Sequence, residues 1–297
     1  MAEFDTYDDA PGTAYHAPAS LAAAFHILAE HGDDAKLLAG GQSLLVIKRM
    51  GLISPGHLIG LRRIAELRGI TATADGGLRI GAMETQRTLE QLPQLAGRFD
   101  ALAEAAAAVA SPPIRRRGTI GGNICHADPT GDPPAALIAL GATLEIASAA
   151  GTRIVPVEDF FVDYMEVALE ADEILVAIDL PAPAPRSGSA YVKHRLRGVD
   201  TALVGVGAGV ALDAAGNVAA ARIGVVGAAQ TPFRATDAEA ALVGSAGDDA
   251  AIAAAASAAA AQADPLEDTE GSEWYRRQMV EVFTRRALVA ALSRARA

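Results

Sequence analysis

Two short segments, one centred on Gly40 and the other on Gly121, combine residue types that can hold phosphates without a cation. The first reads Lys36-Leu37-Leu38-Ala39-Gly40-Gly41-Gln42-Ser43-Leu44-Leu45. The second reads Arg117-Gly118-Thr119-Ile120-Gly121-Gly122-Asn123-Ile124 and runs on through His126-Ala127-Asp128-Pro129 to Asp132. Each has an apolar or β-branched lead-in, a glycine pair and a small polar residue. Glycine lets a backbone approach a ligand closely and adopt positive φ, so that successive N–H groups converge on an anion. Either segment alone also reads as an ordinary tight turn, because isolated glycine motifs are weak signals. Facing each other, the two would hold the diphosphate of a dinucleotide between them.

The composition narrows the chemistry further. A chain of 297 residues is long enough for two or three modest units with their own cores. A formal charge of −11 and 4% aromatic residues argue against nucleic acid as the main partner. No apolar run reaches membrane-spanning length, and the acidic start MAEFDTYDDA is unlike a secretory signal. The one cysteine, Cys125, permits neither an internal disulfide nor an iron–sulfur cluster built from this chain's thiolates. The six histidines show no HExxH-like spacing, and no metal site is read from them.

Elements that would position the two segments are legible around them. Ser20 is a good N-cap for a helix through about Glu30, with Gly32 as its stop. Residues Lys36 to Ala39 read as a strand delivering the first glycine pair. Ile70–Ala74 and Leu78–Ala82 flank Asp75-Gly76-Gly77 as a hairpin. An alanine-rich helix over about Asp100–Ala110 should stop at Ser111-Pro112-Pro113, and another should start after Pro133-Pro134. Leu144–Ala147, Arg153–Pro156 and Ile174–Leu180 read as strands. Pro181 to Ser189 reads as an extended linker. Beyond it come strands over Tyr191–Arg195, Thr201–Leu212 and Val218–Val226. Helices over Ala235–Val243, Asp249–Ala263 and Glu273–Arg296 follow, the last amphipathic with arginines near its C-terminal end. Gly205-Val206-Gly207-Ala208-Gly209-Val210 lacks the spacing and following helix of a nicotinamide-binding turn, and reads as a close-packed hairpin.

The pair AGGQS and TIGGN resembles the signatures of the FAD-binding medium subunit of molybdenum hydroxylases, the family of carbon monoxide, xanthine, quinoline and nicotine dehydrogenases. The similarity extends from His16-Ala17-Pro18-Ala19-Ser20-Leu21 through Asp128-Pro129-Thr130-Gly131-Asp132-Pro133-Pro134 and Tyr191-Val192-Lys193 to Thr231-Pro232-Phe233-Arg234-Ala235 and Tyr275-Arg276-Arg277. It implies an α+β fold. A two-part FAD-binding domain of the vanillyl-alcohol-oxidase/p-cresol-methylhydroxylase type would span 1–181, split near 55–60. A C-terminal domain of antiparallel strands and helices would span 190–297.

In such a subunit FAD is the resident cofactor. Molybdenum cofactor and [2Fe-2S] clusters belong to a large and a small partner subunit, in a dimer of heterotrimers. Electrons would arrive from the clusters and leave to quinone, NAD or oxygen, while substrate is oxidised in the large subunit. The implied location is cytoplasmic or at the inner face of the membrane. The best-known carbon monoxide dehydrogenases carry histidine at the position of Gln42, and purine, aldehyde or N-heterocycle substrates are as open as carbon monoxide. The rival reading is a stand-alone oxidase of the vanillyl-alcohol-oxidase type, which needs a substrate cap and a base over the flavin that the short C-terminal part does not clearly supply.

The resemblance also assigns residues. Leu37, Leu38, Ala39, Gly40, Gly41, Gln42, Ser43 and Leu44 form one side of the cofactor site, with Ser43 Oγ and the loop amides on the diphosphate. Thr119, Ile120, Gly121, Gly122 and Asn123 form the other. Asp132 meets the adenosine end, or caps the helix at Pro133-Pro134. Leu175 is a wall or core position. Tyr191 lies over the flavin as a gate, and Lys193 reaches the cofactor; otherwise they are an ordinary strand tyrosine and an exposed lysine. Apart from the resemblance, the basic run Arg115, Arg116 and Arg117 in an acidic chain reads as steering the diphosphate, docking an acidic subunit or forming a solvated loop. Cys125 is a structural thiol, and His126 a hydrogen-bond donor or a bystander.

Overall fold

The structure, a computed structural model, describes residues 12–297. Its first layer is a small parallel sheet. Strands β1 (Ala14–His16), β2 (Ala35–Leu38) and β3 (His57–Gly60) lie in the order β1-β3-β2. Helix α1 (Leu21–His31) crosses from β1 to β2, capped at Ser20, whose hydroxyl accepts from the Ala23 amide, and ended by Gly32 at φ +50°. Ala24 and Leu28 on α1 pack against Ile59 of β3, which gives this layer its core. The chain leaves β2 through Ala39–Ser43 and enters α2 (Leu44–Arg49).

A second, five-stranded antiparallel sheet follows, in the order β4-β5-β10-β6-β7. Its strands are β4 (Ile70–Ala72), β5 (Leu78–Gly81), β6 (Thr143–Ser148), β7 (Gly151–Pro156) and β10 (Ile174–Leu180). The small hairpin β8 (Phe161–Asp163) and β9 (Glu166–Val167) precedes the last of these. Central strand β10 is apolar almost throughout because both of its faces are covered. Leu175, Ile178 and Leu180 join a core with Phe99, Leu102 and Phe160, while Ile174, Val176 and Ala177 join the core under α1. Alternation disappears where neither face meets water.

Five helices connect this sheet's strands: α3 (Gln86–Glu90), α4 (Asp100–Ala108), α5 (Pro112–Arg115), α6 (Ile120–His126) and α7 (Asp132–Ala139). Pro112 and Pro113 end nothing beyond what Val109 had already ended. They open α5, where a missing N–H costs nothing and the fixed φ suits the first turn. The segment Ile120–His126, read as a loop, is helical, and α7 begins at Asp132 rather than after the prolines.

The third sheet is antiparallel, in the order β11-β12-β13-β14, from β11 (Ser187–His194), β12 (Val204–Leu212), β13 (Val218–Val226) and β14 (Phe233–Arg234). Strand β11 begins at Ser187, inside the stretch read as linker. Helices α8 (Thr236–Leu242), α9 (Asp249–Gln262) and α10 (Glu273–Arg296) close the chain. Ile252 and Ala255 of α9 and Val280, Phe283, Leu288 and Leu292 of α10 cover one face, meeting Val206, Ala208 and Val210. The other face receives α7. A Cβ on Gly207 or Gly224 would strike the Ala135 carbonyl, and one on Gly209 the Ala139 carbonyl. The alternating glycines of β12 are a groove for a helix, as the hairpin reading requires. Arg276, buried on α10, donates to the carbonyls of Leu203 and Gly227 at 2.8 and 2.9 Å and pairs with Asp268, tying α10 to the ends of β12 and β13.

Candidate functional site

The two glycine segments meet. A Cβ on Gly40 would fall on the Arg117 carbonyl, and one on Gly122 would stand 3.2 Å from the Ala39 Cβ. Gly118 lies beside the Gln42 side chain, where a Cβ would make ordinary contact at 3.7 Å. Only close backbone contact permits the Gly40 approach, and a side chain there would push the segments apart. Between and beyond them lies a cleft of about 430 Å³, within the range of cofactor sites.

The segments are built differently. Gly41 sits at φ +73°, the left-handed region that favours glycine, and turns the chain from β2 into α2. Among the described residues, the amides of Gly40, Gly41, Gln42, Ser43 and Leu44 find no protein acceptor, and the Ser43 hydroxyl caps nothing. Five consecutive donors on the cleft wall are the mark of an anion cradle, because backbone N–H groups are normally paired.

In the second segment the amides from Ile120 to Asn123 are already used. Thr119 is the N-cap of α6, its hydroxyl accepting from Gly122 N at 3.1 Å. Ile120 N donates to the Glu84 carbonyl, Gly121 N to Ala82 and Asn123 N to Thr119. Gly121 is a packing residue, since a Cβ there would lie 2.6 Å from the Ala82 Cβ. The second segment therefore offers the cleft a surface and one side chain instead of amides. That side chain is Asn123, whose Oδ1 is buried and unpartnered. Gln86 shares this state at its Oε1, while its own amide donates to the Gly118 carbonyl at 2.9 Å. Buried amide oxygens without partners cost free energy unless something else meets them.

Of the residues singled out from the sequence, Leu37, Ala39, Gly40, Gly41, Gln42, Ser43, Leu44, Thr119, Gly121, Gly122, Asn123, Asp132 and Leu175 line the cleft. Leu38 and Ile120 do not. Leu38 lies beside Gly41, and Ile120 is fully buried in the second core. Cys125 and His126 line it as well, and burial pushes the Cys125 thiol up to about 12. Gly118 and Asp128 of the second segment also line it, as do Gln86, Thr130, Gly131 and, from the segment before β12, Val199 and Thr201, which were not assigned to the site from the sequence. No lysine or arginine is among the lining residues, so the donors facing an anion here are neutral.

Tyr191 and Lys193 stand behind the cleft, away from its wall. They occupy one face of β11 and converge on Asp132 at the start of α7. The Tyr191 hydroxyl donates to Asp132 Oδ1 at 2.6 Å, and Lys193 Nζ reaches Asp132 Oδ2 at 2.9 Å and the Ala108 carbonyl at 3.1 Å. All three side chains are almost wholly buried. Desolvation pushes the Asp132 carboxyl upward against the pull of Lys193, and raises the Tyr191 phenol well above its usual range. Asp132 is not the N-cap of α7; Gly131 holds that position. Tyr191 is buried, with its hydroxyl end packed beside Gly205 on β12. Arg115 is corrected as well. It is buried, paired with Glu90 at 3.0 Å and donating to the Val109 and Ala110 carbonyls, while Arg116 and Arg117 are exposed.

A family model described as the FAD binding domain in molybdopterin dehydrogenase matches residues 7–183. The chain belongs to this family. Residues 189–291 match the CO dehydrogenase flavoprotein C-terminal domain. The carbon monoxide dehydrogenase medium chain of Hydrogenophaga pseudoflava is 40% identical over 285 residues, covering 96% of this chain and 98% of the relative. A 6-hydroxypseudooxynicotine dehydrogenase complex subunit alpha from Paenarthrobacter nicotinovorans is 35% identical over 286 residues, 96% of each. The solved carbon monoxide dehydrogenase from Hydrogenophaga pseudoflava, in a form lacking the Mo-pyranopterin moiety of its cofactor, superposes with a TM-score of 0.92 at 41% identity, covering 96% of this chain and 98% of that one. This chain is thus an FAD-binding medium subunit of a molybdenum-dependent oxidoreductase, with a mixed α+β fold. Among the described residues no helix is long and apolar enough to cross a membrane.

Proposed function

We propose that FAD lies in the cleft between the glycine segments, and that the chain carries electrons from iron–sulfur clusters of a small subunit to an external acceptor. The observation that carries this reading is the run of five acceptor-free amides from Gly40 to Leu44. Together with Ser43 Oγ they would hold the diphosphate, while Leu37, Leu44 and Leu175 supply apolar wall and Asn123 and Gln86 supply side-chain amides. Bound flavin supplies the redox chemistry, accepting and releasing electrons singly or in pairs.

The protein's own groups bind and orient. Both carboxylates on the wall are engaged: Asp128 accepts from Thr130 N and Oγ1 at 2.8 and 2.6 Å, and Asp132 is held by Tyr191 and Lys193. Neither is presented as a base to an organic substrate, which favours electron transfer over the stand-alone oxidase. Substrate oxidation would then fall to a large molybdenum subunit, in a dimer of heterotrimers. The family match to 7–183 and the start of β11 support a division into an FAD-binding part and a C-terminal part near 181–190.

Purifying the tagged chain from its host and quantifying flavin, iron and molybdenum together tests this. FAD accompanied by iron and molybdenum is the expected outcome. An isolated chain that holds FAD alone and turns over a substrate would replace the proposal with the oxidase.

A further inference from the structure

Three histidines far apart in sequence come together at the end of the first sheet, and we propose that His16, His31 and His57 form a three-imidazole site for a divalent transition metal of the Zn²⁺ type. The topology brings them together. In the parallel pair β1–β3, Ala14 lies opposite His57 and His16 opposite Ile59, so His16 and His57 share a face two residues apart. Ile59 on that face carries α1 through Ala24 and Leu28, and His31 continues the same helical stripe at its C-terminal end. Three elements thus each deliver one imidazole to one point.

The geometry there suits a cation. His16 Nε2 and His57 Nδ1 are 2.9 Å apart. The rings of His31 and His57 stack at 3.6 Å between centroids and 9° between planes. One ligand nitrogen from each ring falls within 4.8 Å of the others. A tetrahedral zinc ion with its usual nitrogen distances asks for nitrogens about 3.4 Å apart, so the spacing is within reach, and the His31 ring must turn out of its stack on His57 for the in-plane lone pairs to converge. In the His16–His57 contact one nitrogen donates and the other accepts, so a cation would take the place of the shared hydrogen, the donor ring moving its proton to its other nitrogen. All three residues are half-buried, which leaves a fourth position for water. Imidazole is a ligand for zinc, copper and nickel alike. A bound ion would staple β1, α1 and β3 beside β2, the strand that delivers the first glycine segment.

The test is a titration of the full-length, FAD-loaded chain, freed of metal by chelator, with Co²⁺ followed by its visible absorption and with Zn²⁺ in competition. One Co²⁺ per chain, displaced by Zn²⁺, is expected. His16→Ala and His31→Ala should weaken binding by at least about a hundredfold, while His26→Ala, an exposed histidine on the same helix, should leave it unchanged. Zn²⁺ should also raise the melting temperature of the unsubstituted chain and not of His31→Ala. His31→Gln, at the helix end, serves if an alanine variant loses its circular dichroism signal. Absence of binding tighter than millimolar in the unsubstituted chain would overturn the proposal. So would affinity that survives in His31→Gln or falls equally in His26→Ala.

Discussion

The segments around Gly40 and Gly121 look alike as text and differ as structure. One is an open loop whose five successive amides have no acceptor among the described residues. The other is a capped helical turn whose amides from Ile120 to Asn123 are spent on Thr119, Ala82 and Glu84, and whose glycines exist to let backbones touch. A glycine pair followed by a small polar residue therefore does not specify a phosphate loop. What separates the cases is where the hydrogen bonds go, and that is decided by partners some forty residues away, such as Ala82 and Glu84 against Gly121 and Ile120. One segment binds, and the other holds the binder in place.

The largest test of this division lies behind the second segment. Lys193→Met strands the Asp132 carboxylate in the interior, and stability should fall by about 3–5 kcal/mol in a denaturant titration. Adding Asp132→Leu should return most of that loss. If the single variant is as stable as the parent, the buried triad is not what anchors α7.

Next in size is Gly121→Val, which presses on Ala82 and should cost at least about 1–3 kcal/mol before any ligand is added. Gly41→Val strains a left-handed residue and crowds Leu45, and its first symptom should be loss of FAD. Melting each apo protein and then measuring its flavin occupancy orders the two effects. The same order in both variants would erase the distinction.

A finer contrast comes from the hydroxyls. Thr119→Ala removes a helix cap and should lower apo stability by about 1 kcal/mol. Ser43→Ala removes a hydroxyl with no partner among the described residues, so apo stability should hold while FAD affinity drops up to about tenfold, as for one lost hydrogen bond. The smallest effect concerns the wall beside the second segment. With its thiol pushed up to about 12, Cys125 should be alkylated in the apo protein at a rate that climbs about tenfold per pH unit from 7 to 10 without a plateau. A plateau near pH 9 would mean that the wall is wetter than its packing implies.

Much of this fold was readable from residues. Ser20 and Gly32 mark α1, Asp75-Gly76-Gly77 marks the hairpin between β4 and β5, and the alternating glycines of β12 forecast a close neighbour. Membership in the flavoprotein family rested on ordered motifs across nearly the whole chain. The cleft was half legible. The first segment was placed with its donors, but Gln86 was missed because nothing local distinguishes it from any polar helix residue. Tyr191 and Lys193 meet the cleft only through Asp132, since strand alternation predicts that they share a face without saying which. The pairing of Tyr191 with Gly207 turns that face toward α7 and away from the cleft. The histidine cluster was invisible to spacing, since its members belong to three elements and meet only through the parallel pairing of β1 with β3.

The most direct measurement of the central claim is amide hydrogen–deuterium exchange, read by mass spectrometry on peptides spanning 38–46 and 118–126 with and without FAD. Amides lacking acceptors exchange quickly until a ligand takes them, whereas amides already bonded change little. The account predicts strong protection by FAD in the first peptide and a small change in the second. Equal protection of both, or protection of the second alone, would contradict it.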